Sequence, residues 1–573
     1  GTAALSRVAW PELRTYERVA LRLTAGLGMT ALLLSLSTLT GWFSHASSVL
    51  GALAAIGVVL AIREVRRARR AARSHAPMAA SARATFILVL VCAVSACLGA
   101  IAPVTDDDAL AYVIPIARHI AETGAFRVWT DQARSMWPQS QQVLLAYLMR
   151  AGSDRLGAVT ALEWLLCVGV VSALARRVCE RHEHVGAAVM IALGAPVLGF
   201  QVASAKEDLL LLSASAATAF CLAGSGERAE LAAAGLFAGI AAGAKYPGVM
   251  IAAAAIAWPV IRRRERPFSD AAVVALCAAA TGGLWYALNL WRYGNPVAPF
   301  VGGAPGTPLD AGVIREFMEG YGGGKGLMAF FLAPARIFVE SSRFGGRANL
   351  YNPLVYAGLA GLLVSAERRR NGPLFFMAAV LYVGWFVTVQ NARLLLPAAV
   401  LLAPAAADRL VPVVERHRAL QRLAWGLAVV SFGIVSAVGV IRATRYVHDP
   451  PRFLERETQN YADIQWMNAH LDRRHDRVAS DHKVLAYLEV PSILLDPTYQ
   501  IEISAEELRD TGRFLEACRR QGITHLFGNV DSFPNLRAHL RTIYRNPSSR
   551  SGGVRFFREP PTEATAVFEI IYG

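Results

Sequence analysis

Long apolar runs alternate with short polar connections along most of the 573 residues. A helix that crosses a bilayer needs roughly 20 mostly apolar residues, and the pattern predicts spans at Val19–Phe43, Val49–Ile62, Thr85–Val104, Gly157–Ala175, Val185–Val202, Leu209–Gly224, Leu231–Ala244, Val249–Ile261, Ala271–Leu290, Leu354–Ser365, Leu374–Val389, Leu394–Ala407 and Leu423–Ile441. The expected fold class is an all-α polytopic membrane bundle of about thirteen transmembrane helices. Beyond about Tyr446 the period changes. Helical stretches (Asp463–His470, Ala505–Gln521, Phe533–Arg541) alternate with short β-type runs (Ser492–Leu495, Ile523–Phe527, Val554–Phe557, Ala566–Ile571), which predicts a small C-terminal α/β domain. Three parts follow: residues 1–83, a pair of N-terminal helices with a basic loop; 84–445, the main membrane module with its outer loops; and 446–573, the soluble α/β domain.

Charge adds the orientation. The chain carries a net charge of +15, with charged residues only 18% of the total. That charge is concentrated in short connections: Arg63 to Arg73, Arg176 to Arg181, Arg262 to Arg266, Arg368 to Arg370, and Arg416 to Arg422. Alternation of the spans puts all of these clusters on one side, the cytoplasmic side by the positive-inside rule. The C-terminal domain then lies outside. The same distribution excludes nucleic acid as a partner, because the charge is dispersed among apolar runs. The seven cysteines form no CxxC pair, so no zinc site or disulfide framework is expected. The first apolar run continues into further spans, which is not the pattern of a cleavable signal peptide. The Ala- and Arg-rich makeup, without an N-x-S/T sequon, points to a bacterial inner membrane with the C-terminal domain periplasmic.

The outer loops hold the candidate chemistry. Thr105 to about Leu156 contains Trp129, Trp137 and Tyr147 and reads as interfacial amphipathic helices. It opens with three consecutive carboxylates, Asp106, Asp107 and Asp108, which repel one another and raise one another's pKa. Such a cluster implies a nearby cation or an exchanged proton; a capping turn at the next helix is the simpler reading. A second acidic motif, Lys206-Glu207-Asp208, ends the fifth span, where charge is costly and marks function. Lys245-Tyr246 follows the seventh span, Trp285 to Pro296 closes the ninth, and Gln390 to Arg393 precedes the twelfth. Cations at an outer cavity suit a phosphate, although Lys245 and Arg393 would also serve as headgroup anchors. Tyr321–Gly326 (YGGGKG) lacks the GxxxxGK[ST] spacing and reads as a flexible lid in the long segment from Trp291 to Tyr351.

In order, these motifs resemble the GT-C superfamily of membrane glycosyltransferases, and look closest to the protein O-mannosyltransferases, lipid A aminoarabinose transferases and Rgt-type bacterial enzymes. The resembling residues are Asp107-Asp108-Ala109-Leu110-Ala111-Tyr112 with Pro115 and Gly124, then Trp137 to Gln142. Lys206-Glu207-Asp208, Gly239, Ala244-Lys245-Tyr246, Asn289 to Phe300, and Arg393 to Pro397 follow, spanning about Thr85 to Pro397. Two positions depart: Val113 stands where many relatives have His, and Gln142 where many have Glu. The resemblance implies an inverting transfer of a hexose or pentose from a polyprenyl-phosphate-linked donor to a hydroxyl of a glycan, lipid or protein acceptor, at the outer face of the bilayer. Lipid phosphate is a stable leaving group, so a general base on the acceptor is the main requirement, and direct attack inverts the anomeric centre. Asp108 is the expected base, with Asp107 second and Asp208 positioning the acceptor or a cation. Lys245, Arg393 and Arg292 would bind the donor phosphate. Tyr112, Glu207, Tyr246, Asn289, Arg343 and Arg347 are the expected substrate contacts. The oxygen ligands of Asp107, Asp108 and Asp208 allow a divalent cation; no other cofactor is expected. Two other readings fit an apolar bundle with outer charges: a transporter or flippase of lipid-linked saccharides, whose site would sit nearer the midplane, and a scaffold whose α/β domain binds a partner.

Overall fold

The computed structural model describes residues 12–46, 80–345, 371–483, 485–550 and 562–572, together with Leu5, Trp10 and positions 48–49. The spans expected at Val49–Ile62 (save Val49) and Leu354–Ser365, the strand expected at Val554–Phe557, and Arg347 lie outside the described residues.

The chain is largely helical. Its first helices are α1 (Thr15–Leu39) and α2 (Ala80–Gly99). Two shorter helices, α3 (Ile114–Thr123) and α4 (Ser140–Arg150), occupy the segment expected to be interfacial. There follow α5 (Gly157–Val178), α6 (His184–Leu193), α7 (Pro196–Gln201), α8 (Asp208–Leu222), α9 (Arg228–Ala244) and α10 (Pro247–Ile261). Next are α11 (Pro267–Gly282) and α12 (Leu284–Tyr293), and then α13 (Ala311–Glu319) and α14 (Leu327–Val339) within the long Gly- and Pro-rich segment. The last helices of the bundle are α15 (Gly372–Val387), α16 (Leu396–Arg416) and α17 (Arg418–His448).

Among the described residues, four helices are long and apolar enough to cross a bilayer: α1, α5, α16 with the turn before it, and α17. The pair α11 and α12, bent by 75°, makes a fifth if taken as one span. The chain is thus an integral membrane protein. Several expected spans are interrupted. Pro196, which cannot donate to the preceding turn, separates α6 from α7 inside Val185–Val202. Gly282 and Gly283 stand at the bend inside Ala271–Leu290.

Small residues let the helices touch. On α9, a Cβ at Gly239 would lie 1.9 Å from Thr281 Oγ1 and 2.4 Å from the Ala278 carbonyl oxygen of α11. This is the close backbone approach that small residues permit in membranes. At the other end, where α5 finishes, buried Glu17 of α1 accepts from Arg176 Nε at 2.8 Å, and Glu230 of α9 accepts from Arg177 Nη1 at 2.7 Å. Apolar side chains such as Leu162, Leu165, Val429 and Val430 stay exposed on the bundle surface, as a lipid-facing surface requires.

The C-terminal region contains helices α18 (Pro450–Glu457) and α19 (Tyr461–His470), then a five-stranded sheet. The strands are β1 (Val478–Ser480), β2 (Ser492–Leu494), β3 (His525–Asn529), β4 (Leu540–Arg550) and β5 (Thr562–Ile570), in the order β2-β1-β3-β5-β4. The β1–β2 and β1–β3 pairs are parallel; β3–β5 and β4–β5 are antiparallel. Helices α20 (Ala505–Arg509) and α21 (Thr511–Arg520) connect β2 to β3. They fill the single helix expected at Ala505–Gln521, divided where Asp510 caps the Arg513 N–H. The helix expected at Phe533–Arg541 is instead a 3-10 turn, Pro534–His539, leading into β4, whose pairing with β5 overrides local helical preference.

Side chains alternate across this sheet. Ala479, Leu526, Ala566 and Phe568 face a core with Phe514 and Cys518 of α21. Val478, Phe527 and Val567 face the opposite way and join Tyr112, Ile116 and Val143 around α3 and α4 in one apolar cluster. Both faces are covered, one by the region's own helices and the other by helices of the membrane module.

The α9–α11 contact yields a paired test. Gly239→Ala should destabilise by about 1–3 kcal/mol through overpacking. Gly433→Ala, on α17 with open space around its Cβ position, should be neutral or stabilising by up to about 1 kcal/mol from helix propensity. Thermal unfolding of the two variants in one detergent measures both.

Candidate functional site

Four separate stretches of chain meet at the end of the bundle away from Arg176 and Arg177. The first is the turn from α2 toward α3. Arg442 of α17 donates to the carbonyls of Gly99 and Pro103 and to Thr105 Oγ1, which holds this turn in place. Asp106 caps the Ala109 N–H at 3.0 Å, and residues Ala109–Val113 form a widened π turn before α3, a distortion frequent at functional sites. The second stretch precedes α8. Ala205 adopts a left-handed φ of 58°, unusual without glycine, immediately before Lys206, Glu207 and Asp208. Asp208 opens α8, and the third stretch is the end of α9, which Lys245 closes. Each sits at the helix end whose dipole favours its charge. The fourth stretch is the turn before α16, where Asn391 caps the Arg393 N–H.

The charges on these stretches form two neighbouring groups of ion pairs. Lys206 Nζ lies 2.7 Å from Asp106 Oδ2. Lys245 Nζ lies 2.8 Å from Glu207 Oε1 and 2.9 Å from Asp208 Oδ1. Arg393 lies 3.0 Å from Asp108 Oδ2 through Nη2, and its Nε is 3.7 Å from Asp208 Oδ2. Lys206, Glu207, Asp208 and Lys245 are all buried.

The two aspartates of the first motif differ. Burial alone would raise Asp108, but Arg393, then Lys206, Arg134 and Lys483, hold it well below the usual carboxylate range. Asp107 makes no ion pair among the described residues, and Lys206 and Lys483 only partly offset its burial. Burial, reinforced by Asp106 and Asp108, pushes it from the ordinary 3.8 up to about 7, and its Oδ1 is buried without a hydrogen bond.

Beside this network lies a cavity of about 240 Å³. Its charged wall is Asp108, Lys245, Arg393 and Arg134; its apolar flank includes Val249, Met250, Val297, Phe300 and Phe317. Of the expected substrate contacts, Tyr112 and Tyr246 line it, the latter donating to the Ala298 carbonyl. Glu207 stands behind it, bound to Lys245. Asn289 braces the wall by donating to the Met136 carbonyl at 2.8 Å. Arg292 lies over the Phe126 ring instead, and exposed Arg343 pairs with Glu340, so neither reaches the cavity. Among the described residues, no three His, Cys, Asp or Glu side chains converge as a metal site. The turn at Tyr321–Gly326, expected as a flexible lid, is held by Gln390, which accepts from the Gly323 N–H and donates to the Gly324 carbonyl.

Sequence reading missed three contributors. Arg134 and Tyr499 line the cavity, and Lys483 stands 5.1 Å over the Tyr499 ring. For Arg134 the available signal was its place three residues before Trp137. Tyr499 and Lys483 carried none, because they come from the C-terminal region.

The helical membrane bundle with its small C-terminal α/β region has a GT-C-type fold. Two crystal structures of ArnT from Cupriavidus metallidurans share it. The one bound to undecaprenyl phosphate is 14% identical and the apo form 15% identical, each with a TM-score of 0.53 over 85% of this chain and 98% of theirs. The archaeal oligosaccharyltransferase AglB from Archaeoglobus fulgidus, in complex with an inhibitory peptide and a dolichol-phosphate, is 12% identical with a TM-score of 0.46, over 82% of this chain and 75% of its own. Residues 79–224 match the family described as the DUF1420 N-terminal domain. No curated protein matches the chain.

Asp107 offers a pH test. The folded protein holds its proton more tightly than an unfolded chain does. The resulting stabilisation is full below about pH 4 and is lost as pH rises through about 7. Asp107→Asn should therefore raise Tm at pH 8 by more than it does at pH 5, in thermal melts of parent and variant at both values.

Proposed function

We propose that this chain is an inverting glycosyltransferase that moves a monosaccharide from a polyprenyl-phosphate donor to an acceptor hydroxyl on the outer side of a bacterial inner membrane. The proposal includes the thirteen-span topology and a periplasmic C-terminal domain, on the strength of the arginine clusters. The observation that carries it is the amphipathic cavity. Its charged wall suits a phosphate and its apolar flank a polyprenyl chain, and the fold is shared with an ArnT structure bound to undecaprenyl phosphate.

In this reading Asp108 is the general base and Arg393 and Lys245 meet the phosphate. The ion pair between Asp108 and Arg393 gives the order of events a physical basis. An arriving phosphate competes for the guanidinium, and forked contacts to phosphate are strong. As Arg393 turns to the donor, its hold on Asp108 weakens and the carboxylate becomes more basic, ready to take the acceptor proton. Asp208, bound to both Lys245 and Arg393, keeps the two cations in register. As the sugar–phosphate bond breaks, negative charge grows on the leaving phosphate where these cations already stand.

Purified protein in lipid, offered a panel of polyprenyl-phosphate hexoses and pentoses together with glycan, lipid and protein acceptors, should release polyprenyl phosphate as the glycoside forms. Asp108→Asn should lower that rate by at least about a hundredfold, the loss of a general base. Equal turnover by parent and variant would remove Asp108 from the role. In the same assay Arg393→Ala should raise the donor KM and lower kcat together, because it removes both the phosphate contact and the partner of Asp108 and Asp208. The product glycoside, examined by NMR, should have the anomeric configuration opposite to the donor's.

A further inference from the structure

The cations of the cavity are not equivalent. Lys245 and Arg393 each touch carboxylates of their own. Among the described residues, Arg134 pairs with no carboxylate, yet it is only 6% exposed and its Nε is buried without a hydrogen-bond partner. Rings cover it instead. The guanidinium carbon lies 3.6 Å from the Tyr499 ring centroid, 4.5 Å from that of Trp137 and 4.6 Å from that of Tyr112. Aromatic faces stabilise a cation without using its N–H groups, so the hydrogen-bonding edge of Arg134 stays available at the cavity wall.

The ring at the shortest distance comes from the C-terminal region. Tyr499 is 2% exposed, and backbone hydrogen bonds fasten it to the loop that carries Arg134. Ala133 N–H donates to the Tyr499 carbonyl at 2.6 Å and Ile501 N–H to the Thr130 carbonyl at 2.8 Å. Thr130 Oγ1 also donates to Glu502 Oε1 at 2.7 Å. Glu502 is tied back to its own region by Arg477 at 2.6 Å. The position of the Tyr499 ring therefore depends on docking of the C-terminal region.

We propose that Tyr499 is a positioning residue of the transfer site: its ring holds the Arg134 guanidinium with the N–H edge toward the phosphate of the lipid-linked donor, which makes the C-terminal region part of the donor site. This rests on the transferase reading above. It assigns the region a role in ground-state binding of the phosphate.

The test uses the full chain in lipid and measures equilibrium binding of polyprenyl phosphate, with uncharged polyprenol as control. Tyr499→Leu keeps apolar volume but loses the π face. It should weaken polyprenyl phosphate binding about tenfold, a loss of the size expected for a desolvated cation–π contact, and leave polyprenol binding unchanged. Tyr499→Phe keeps the ring and should restore binding to within about twofold of the parent. The donor KM should follow the same order, with kcat within about threefold. In an Arg134→Gln background, Tyr499→Leu should add no further loss, since the two residues act through one contact. Binding by Tyr499→Leu as tight as the parent's, or independent losses in the double variant, would overturn the inference alone. A parent that binds polyprenol and polyprenyl phosphate equally would overturn the donor reading and the inference with it.

Discussion

A charge taken out of water into an apolar helix bundle costs several kcal/mol unless an opposite charge meets it. Here that constraint is met by two neighbouring groups of ion pairs, Asp106 with Lys206, and a chain that runs from Glu207 through Lys245, Asp208 and Arg393 to Asp108. Each member sits where one helix ends or the next begins, so pairing the charges also determines how those ends meet. Truncating one cation would strand a buried carboxylate, which ties the geometry of the site to the packing of the bundle. At the far end of the bundle α1, α5 and α9 are joined through Glu17 with Arg176 and Glu230 with Arg177. Between the two charged layers the contacts are mainly apolar, with Glu163 a buried exception, and around Gly239 they bring helices almost backbone to backbone.

The C-terminal sheet obeys a related constraint. A sheet with two apolar faces must cover both. Helix α21 covers one; the membrane module covers the other through Tyr112, Ile116 and Val143. That second contact brings the turn bearing Tyr499 against the loop bearing Arg134. Docking driven by apolar burial thereby adds an aromatic face to a charged cavity.

The parts of the candidate site that could be read from sequence share one property. Asp106 to Asp108, Lys206 to Asp208, Lys245 and Arg393 are charges interrupting or bordering apolar runs, and desolvation makes such charges conspicuous. Arg292 and Arg343 have similar surroundings in sequence, yet one lies on Phe126 and the other pairs with Glu340. Where Arg292 lies depends on the 75° bend between α11 and α12, which spacing alone does not encode. Helix interruptions were not legible in the same way: the span expected at Val185–Val202 runs through Pro196, where α6 and α7 divide, and the length of each segment depends on its neighbours. Conversion of His539 to Arg541 from expected helix to turn and strand required β5 as a partner, more than twenty residues away in sequence.

What the sequence determined by itself was the class of structure: an apolar helical bundle, charged at the helix ends, followed by a small α/β region. Hydrophobic periodicity and the cost of burying charge are local properties, and they are written residue by residue. Tertiary structure alone decided which charges became partners, that Asp108 would be held by Arg393 while Asp107 made no ion pair among the described residues, and that Tyr499 would stack on an arginine 365 positions earlier in the chain. Ion pairing and ring stacking depend on distances of a few ångströms between segments far apart in sequence, and those distances exist only once the helices and the sheet have packed.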